Sequence, residues 1–186
     1  MSERDPLRTI IEALEACGIP HMIAGSIAST LHGVPRATHD IDLVIDPTRA
    51  ALDALVRRLS DGGHYVSEAA ADEAWRRRGQ FNAVDLATGW KIDLILRKER
   101  PFSVEEFARR TRAEILGTEV FVATAEDTIL SKLEWARLGE SERQLRDVVG
   151  VLEIAGDRLD RAYLEHWAAE LGVVELLQRA RDAASG

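Results

Sequence analysis

Three aspartates lie in apolar segments that otherwise read as buried strand. Asp40 and Asp42 open Asp40-Ile-Asp-Leu-Val-Ile-Asp46, and Asp93 sits inside Lys91-Ile-Asp-Leu-Ile95. Both segments are rich in β-branched and aliphatic residues, which predicts strands. Residues i and i+2 of a strand share a face, so Asp40 and Asp42 project together, about 6–7 Å apart. Two such carboxylates repel each other unless a cation lies between them. Hard oxygen ligands of this kind suit Mg²⁺, which takes one or two carboxylates and completes its shell with water and phosphate oxygens. If the second strand lies near the first, a strand spacing of about 4.8 Å brings Asp93 beside the pair. Burying an acid in an apolar strand is costly, and one metal cluster accounts for all three. In that strand Ile41, Val44 and in part Leu43 are expected to face the core.

A second kind of chemistry is written in Gly25-Ser26. A strand ending in Gly, with Ser opening a helix, offers backbone N–H groups and a hydroxyl at a helix N-terminus, which is an anion site. Glycine lets the backbone approach a phosphate closely. Arg36 and Thr38, just ahead of the acidic strand, could reach a phosphate or a base; a loop arginine paired with a nearby acid is the competing reading of Arg36. Lys132 lies on an apolar helical stretch, where a triphosphate contact competes with a snorkelling lysine. Asp147 and Arg146 either orient Lys132 or form a helix-surface pair, the latter being slightly preferred. His39 points to the opposite strand face from Asp40, and His32 and His64 have no partners at metal-ligand spacing, which argues against a zinc site. Trp75, Trp90, Trp135 and Trp167 are scattered and read as core.

These residues need elements to hold them. A first helix is predicted from Pro6 to Cys17, with Asp5 as N-cap and Gly18 as stop. A short strand at 21–24 follows, and Gly25-Ser26 leads into a helix ending near Gly33. After the Asp40 strand come a helix over 50–59, a short strand from His64 and a helix through Arg78. Thr88-Gly89 between 81–87 and 90–96 signals a hairpin. A helix over 104–110 and a strand over 119–123 complete an α/β core. Thr124, with Asp127 three residues on, is an N-cap signal, and helices are predicted over 125–138, 141–155, 160–171 and 173–184. The boundary is placed near residue 124, giving a core over 1–124 and a helical segment over 125–186 packed on it.

The chain has 186 residues, 46% of them hydrophobic and 30% charged, which is ordinary for a globular domain with one well-buried core. No apolar run is long enough to span a bilayer, and the opening Met-Ser-Glu-Arg-Asp-Pro lacks the apolar core of a secretory signal. The single Cys17 allows no internal disulfide, points to the cytoplasm and reads as a buried core thiol. A net charge of −8 argues against wrapping nucleic acid non-specifically. The basic stretches Arg76-Arg-Arg78 and Arg97-Lys-Glu-Arg100 read as solvated arginines rather than a binding patch.

Taken together, Gly25-Ser26, Asp40-Ile41-Asp42 and the distant Asp93 resemble the signature of the nucleotidyltransferase superfold, which includes polymerase-beta-like enzymes and bacterial antibiotic nucleotidyltransferases. The stretch His32-Gly-Val-Pro-Arg36-Ala-Thr38-His-Asp40-Ile-Asp-Leu is similar to the bacterial branch near AbiE-type toxins. Glu126-Asp-Thr-Ile-Leu-Ser-Lys132-Leu and Arg143-Gln-Leu-Arg146-Asp147-Val resemble motifs on the C-terminal helices of that branch, so the likeness runs from about residue 19 to 152. Ile27 departs from the minimal nucleotidyltransferases paired with helical partners, which carry Arg after Gly-Ser.

The resemblance implies an α+β fold, a mixed-sheet core with flanking helices followed by a C-terminal helical tail. It implies a metal-dependent transfer of a nucleoside monophosphate from a nucleoside triphosphate, such as ATP, to a hydroxyl of a tRNA, a protein or a small molecule. Asp40 and Asp42 would hold two Mg²⁺ ions, with Mn²⁺ as a substitute. Asp93 would complete the second site and help activate the acceptor. Gly25, Ser26, Arg36, Thr38 and Lys132 would contact the nucleotide. A toxin with an antitoxin partner fits the likeness best. An antibiotic-modifying enzyme and a catalytically silent nucleotide-binding or protein-interaction module are the alternatives, and a structural protein with merely solvated acids is a further one.

Overall fold

The computed structural model describes residues 5–139 and 141–185. The start of the charged N-terminal stretch, Met1–Arg4, lies outside them. The fold is α+β, and the chain divides into two compact units, one of Met1–Ile23 with Thr38–Val122 and the other of Ala24–Ala37 with Ala123–Gly186.

The first unit carries the sheet. Its strands are β1 (His21–Ile23), β2 (Asp40–Ile45), β3 (His64–Val66), β4 (Gln80–Asp85), β5 (Lys91–Leu96), β6 (Thr111–Ile115) and β7 (Thr118–Val122). Among the described residues they form one mixed sheet in the order β3-β4-β5-β2-β1-β7-β6. β2 and β5 lie side by side and parallel, while β1 runs antiparallel to β2 and β4 antiparallel to β5. The helices of this unit are α1 (Pro6–Ala16), α3 (Arg49–Asp61), α4 (Glu68–Arg77) and α5 (Pro101–Arg109), with α2 (Gly25–His32) falling in the other unit. The cap of α1 is the one expected, Asp5 accepting from Leu7 N at 3.0 Å with Pro6 at the first helical position, and Thr48 and Ser67 likewise cap α3 and α4.

Strict alternation along β2 and β5 buries Ile41, Leu43 and Ile45 beside Ile92, Leu94 and Leu96, all 0–1% exposed. Leu43 is therefore wholly a core residue. Val44 is turned to the half-buried face with the acids, because a period of two puts it with Asp40 and Asp42 rather than with Ile41.

The second unit is helical: α2, α6 (Ala125–Gly139), α7 (Glu142–Ala155), α8 (Arg161–Glu170) and α9 (Val174–Ala184), with a 3₁₀ turn at Gly156–Arg158. The predicted N-cap of α6 is present, Asp127 N donating to Thr124 Oγ1 at 3.2 Å. α2 packs on α6 and α7, and α7 packs on α9. The segment 24–37, read from sequence with the N-terminal core, thus keeps company with the C-terminal helices in this unit.

Four expectations change. The strand β6 carries no recognisable signal, since its turn Leu116-Gly117 has both φ angles positive, 51° and 75°, with Leu where Asn or Asp usually announces such a hairpin. Cys17 is the half-buried C-cap of α1 rather than a core thiol. Trp135 is 51% exposed and the other tryptophans are half-buried, so none is core; Trp75 lies under the Arg78 guanidinium at 5.2 Å and Trp90 meets His39 edge-on at 5.5 Å. The basic stretches are ion-paired rather than simply solvated: Arg97 with Asp46 at 2.9 Å, Arg78 with Glu99 at 3.1 Å and Arg76 with Glu73 at 3.1 Å. Among the described residues no helix is long and apolar enough to cross a membrane.

Candidate active site

The parallel register of β2 and β5 sets Asp42 directly beside Asp93 and Asp40 directly beside Lys91. All four belong to the half-buried face of their strands, so they form a two-by-two array on one side of the sheet. β4 extends the rows, with Asn82 opposite Asp93 and Val84 opposite Lys91. Lys91 Nζ donates to Asp93 Oδ2 at 2.8 Å, the carboxylate being 14% exposed. That hydrogen bond raises the lysine's pKa above its ordinary value; partial burial opposes the shift and the charges of Asp93, Asp40 and Asp42 reinforce it. Thr38 pins the entry to β2, its hydroxyl accepting from Asp40 N at 3.2 Å. His39 is exposed against Trp90.

Asp40, Asp42 and Asp93 thus share one half-buried strand face, with the Lys91 ammonium on Asp93. Among the described residues no three Asp, Glu, His or Cys side chains enclose an ion-sized site as they stand. Mg²⁺ needs only one or two protein carboxylates, however, and Asp42 beside Asp93 with Asp40 on the same face is a fitting donor set for an ion that keeps water and phosphate ligands.

In the second unit Asp147 of α7 gathers the cations. Arg36 reaches it twice, Nε to Oδ1 at 3.0 Å and Nη2 to Oδ2 at 3.1 Å, and Lys132 Nζ donates to Oδ2 at 2.7 Å. Lys132 also donates to Gln144 Oε1 at 3.0 Å, and Arg36 Nη2 donates to the Ser26 hydroxyl. Ser26 lies in the first turn of α2, after Gly25, whose φ of +57° favours a residue without a Cβ. Burial alone would raise the Asp147 pKa, but the hydrogen bonds and charges of Lys132 and Arg36 outweigh it and the net shift is downward.

Three sequence readings are decided here. Lys132 is 4% exposed with its ammonium on Asp147, so it does not snorkel. Asp147 is a buried partner rather than half of a helix-surface pair, because neighbouring residues on a helix diverge by about 100° and only exposed Arg146 faces outward. Arg36 does pair with an acid, and the same guanidinium reaches Ser26. Sequence reasoning missed Lys91 altogether; its spacing of two from Asp93 was the available signal. The link from Arg36 to Asp147, across 111 residues, had none.

Solved structures resemble this arrangement of elements. ANT(2″)-Ia in complex with adenylyl-2″-tobramycin superposes with a TM-score of 0.58 at 18% identity, covering 89% of this chain and 94% of that one. An antigenic nucleotidyltransferase-like protein from Paracoccidioides brasiliensis gives 0.57 at 20% identity, over 95% and 92% of the two chains. The chain has the nucleotidyltransferase fold. The lincosamide antibiotic adenylyltransferase LnuA, lincomycin-bound, gives 0.56 at 13% identity over 80% and 95%. No family model and no curated protein matches the sequence. Within this nucleotidyltransferase fold, β2 and β5 present the carboxylates, and α2, α6 and α7 present Ser26, Lys132 and Asp147.

Proposed function

We propose that the chain is a metal-dependent nucleotidyltransferase, moving a nucleoside monophosphate from a nucleoside triphosphate to a hydroxyl acceptor with release of pyrophosphate. The observation that carries this is the register of Asp42 against Asp93 with Asp40 on the same strand face. Asp40, Asp42 and Asp93 would hold Mg²⁺ or Mn²⁺, which when bound neutralises charge on the phosphate oxygens. Asp93 would complete the second metal site and help activate the acceptor hydroxyl. Gly25, Ser26, Arg36, Thr38 and Lys132 are assigned to the nucleotide. For Ser26, Arg36 and Lys132 the support is their shared hydrogen-bond network around one carboxylate. For Thr38 the reading requires its hydroxyl to serve both the β2 backbone and the ligand.

Two neighbouring structures hold small hydroxyl-bearing antibiotics, adenylylated tobramycin and lincomycin, which favours a small-molecule acceptor and an antibiotic-modifying role. The motif over His32–Leu43 favours the other reading, a cytoplasmic toxin of the AbiE-type branch with a tRNA or protein acceptor and an antitoxin partner.

Thermal melts with each of the four nucleoside triphosphates, with and without Mg²⁺, test the common core of both. A ligand at 100 times its Kd adds about 2.7 kcal/mol, a readily visible rise in Tm. We expect a Mg²⁺-dependent rise with at least one nucleotide that Asp42→Asn abolishes. No such rise with any nucleotide would sink the proposal. A rise without pyrophosphate release, in the presence of tRNA, protein and aminoglycoside or lincosamide acceptors, would leave a silent nucleotide-binding module.

A further inference from the structure

Lys91 is the member of the two-by-two array to which the transfer reaction assigns no role. Its ammonium lies 2.8 Å from Asp93 Oδ2, and its register neighbour on β2 is Asp40. The lysine side chain is 43% exposed against 14% for the carboxylate, so the lysine is the more solvent-accessible member of the pair. Three carboxylates and one ammonium leave the array with two net negative charges. A divalent ion taking Asp93 through Oδ2 must displace the lysine's hydrogen bond, and one taking Oδ1 must share the carboxylate with the ammonium. Two cations sharing one carboxylate also repel each other at a few ångströms. Among the described residues the ammonium's hydrogen-bond partner is Asp93, and the lysine's flexible four-carbon stem lets the head retreat into water.

We propose that Lys91 is a resident counter-ion of the carboxylate face: it holds the acids together before metal arrives and competes with the divalent ion for Asp93. The proposal rests on the metal-binding reading given above. It has a signature that a merely structural lysine lacks. Removing the ammonium lowers the stability of the metal-free protein while tightening metal binding, so the two quantities move in opposite directions. A lysine that served mainly to contact the nucleotide would leave the affinity for the ion alone unchanged.

The test titrates the full chain with Mn²⁺ alone, without nucleotide, following the free-ion electron paramagnetic resonance signal. Wild type is compared with Lys91→Met, Lys91→Gln, Asp42→Asn and Asp93→Asn, and the metal-free Tm of each is recorded. We expect both Lys91 variants to bind Mn²⁺ about fivefold more tightly, the upper end for a partly exposed ion pair. Their metal-free Tm should fall, and the tightening should vanish when Asp93→Asn is added to Lys91→Met. Equal or weaker Mn²⁺ binding by both Lys91 variants, with wild-type binding still lost in Asp42→Asn, would overturn the role of Lys91 and leave the metal site standing. Wild-type protein that binds no Mn²⁺, or binds it indifferently to Asp42→Asn, would overturn the metal site and this inference together.

Discussion

Asp147 shows how much one side chain can organise. Its side chain is 9% exposed and accepts hydrogen bonds from both Arg36 and Lys132, the latter more buried still at 5%. Taking such charges out of water is costly, and only mutual pairing offsets it. Asp147→Asn takes away the anionic partner of Lys132 and Arg36 and leaves neutral acceptors such as Gln144 Oε1, so we expect a loss of about 3 kcal/mol in urea unfolding, the lower end for breaking a buried pair. The pH dependence follows from the direction of the shift. The folded pKa lies below the ordinary 3.8, so the contribution is fully present above that value and is lost as pH falls through the folded one. The stability gap between wild type and Asp147→Asn should therefore be constant from about pH 5 to 7 and should narrow only below about pH 4. A gap that closes between pH 5 and 7 would assign the effect to another group.

At the scale of elements, the meeting of α2 and α7 depends on two glycines. A Cβ added at Gly33, the C-cap of α2, would lie 2.7 Å from Val151 N and 2.8 Å from Gly150 C, backbone atoms that cannot step aside. At Gly150 a Cβ would meet Val34 at 3.2 Å. Gly139, ending α6, has nothing within 4 Å. Gly33→Ala should cost about 2 kcal/mol or more through overpacking, whereas Gly139→Ala should be neutral or stabilising by a few tenths. Equal effects in chemical denaturation would show that the backbone approach is not what Gly33 permits. The helices themselves were legible: Asp5-Pro6 and Thr124 are capping signals that act through local hydrogen bonds and sit where the sequence put them, and Thr48 and Ser67, not read as caps, act in the same way. β6 was not legible. Its exposed Thr111, Arg112 and Glu114 carry no apolar face, and it is a strand because β7 pairs with it.

For the molecule as a whole, burial ranks the sheet. β2 and β5 carry fully buried Leu43, Ile45, Ile92, Leu94 and Leu96 and have neighbours on both sides, while β3 and β6 are the edges. Amide exchange should be slowest in β2 and β5, at the level of global unfolding, and fastest in β6. Slow exchange in β6 would mean that its free edge is covered in solution. Charge is distributed with similar economy. Despite the net charge of −8, cations in each unit are held by individual acids, Lys91 by Asp93 in the first and Arg36 by Asp147 in the second.

The sequence alone determined the acids and their grouping, because the facts behind them are local. A period of two puts Asp40 and Asp42 on one face whatever else the chain does. A Gly-Ser after a strand opens a helix, and caps and turns are decided within four residues. Tertiary structure alone decided which strand lies beside which, and so that Asp42 faces Asp93 rather than a hydrophobic neighbour. It also decided that Lys91 answers the acids, and that Arg36, Lys132 and Asp147 share one network. Apart from Lys91 with Asp93, two residues apart on β5, those pairings join residues far apart in sequence, and they form only where packing of the apolar faces has already fixed the register.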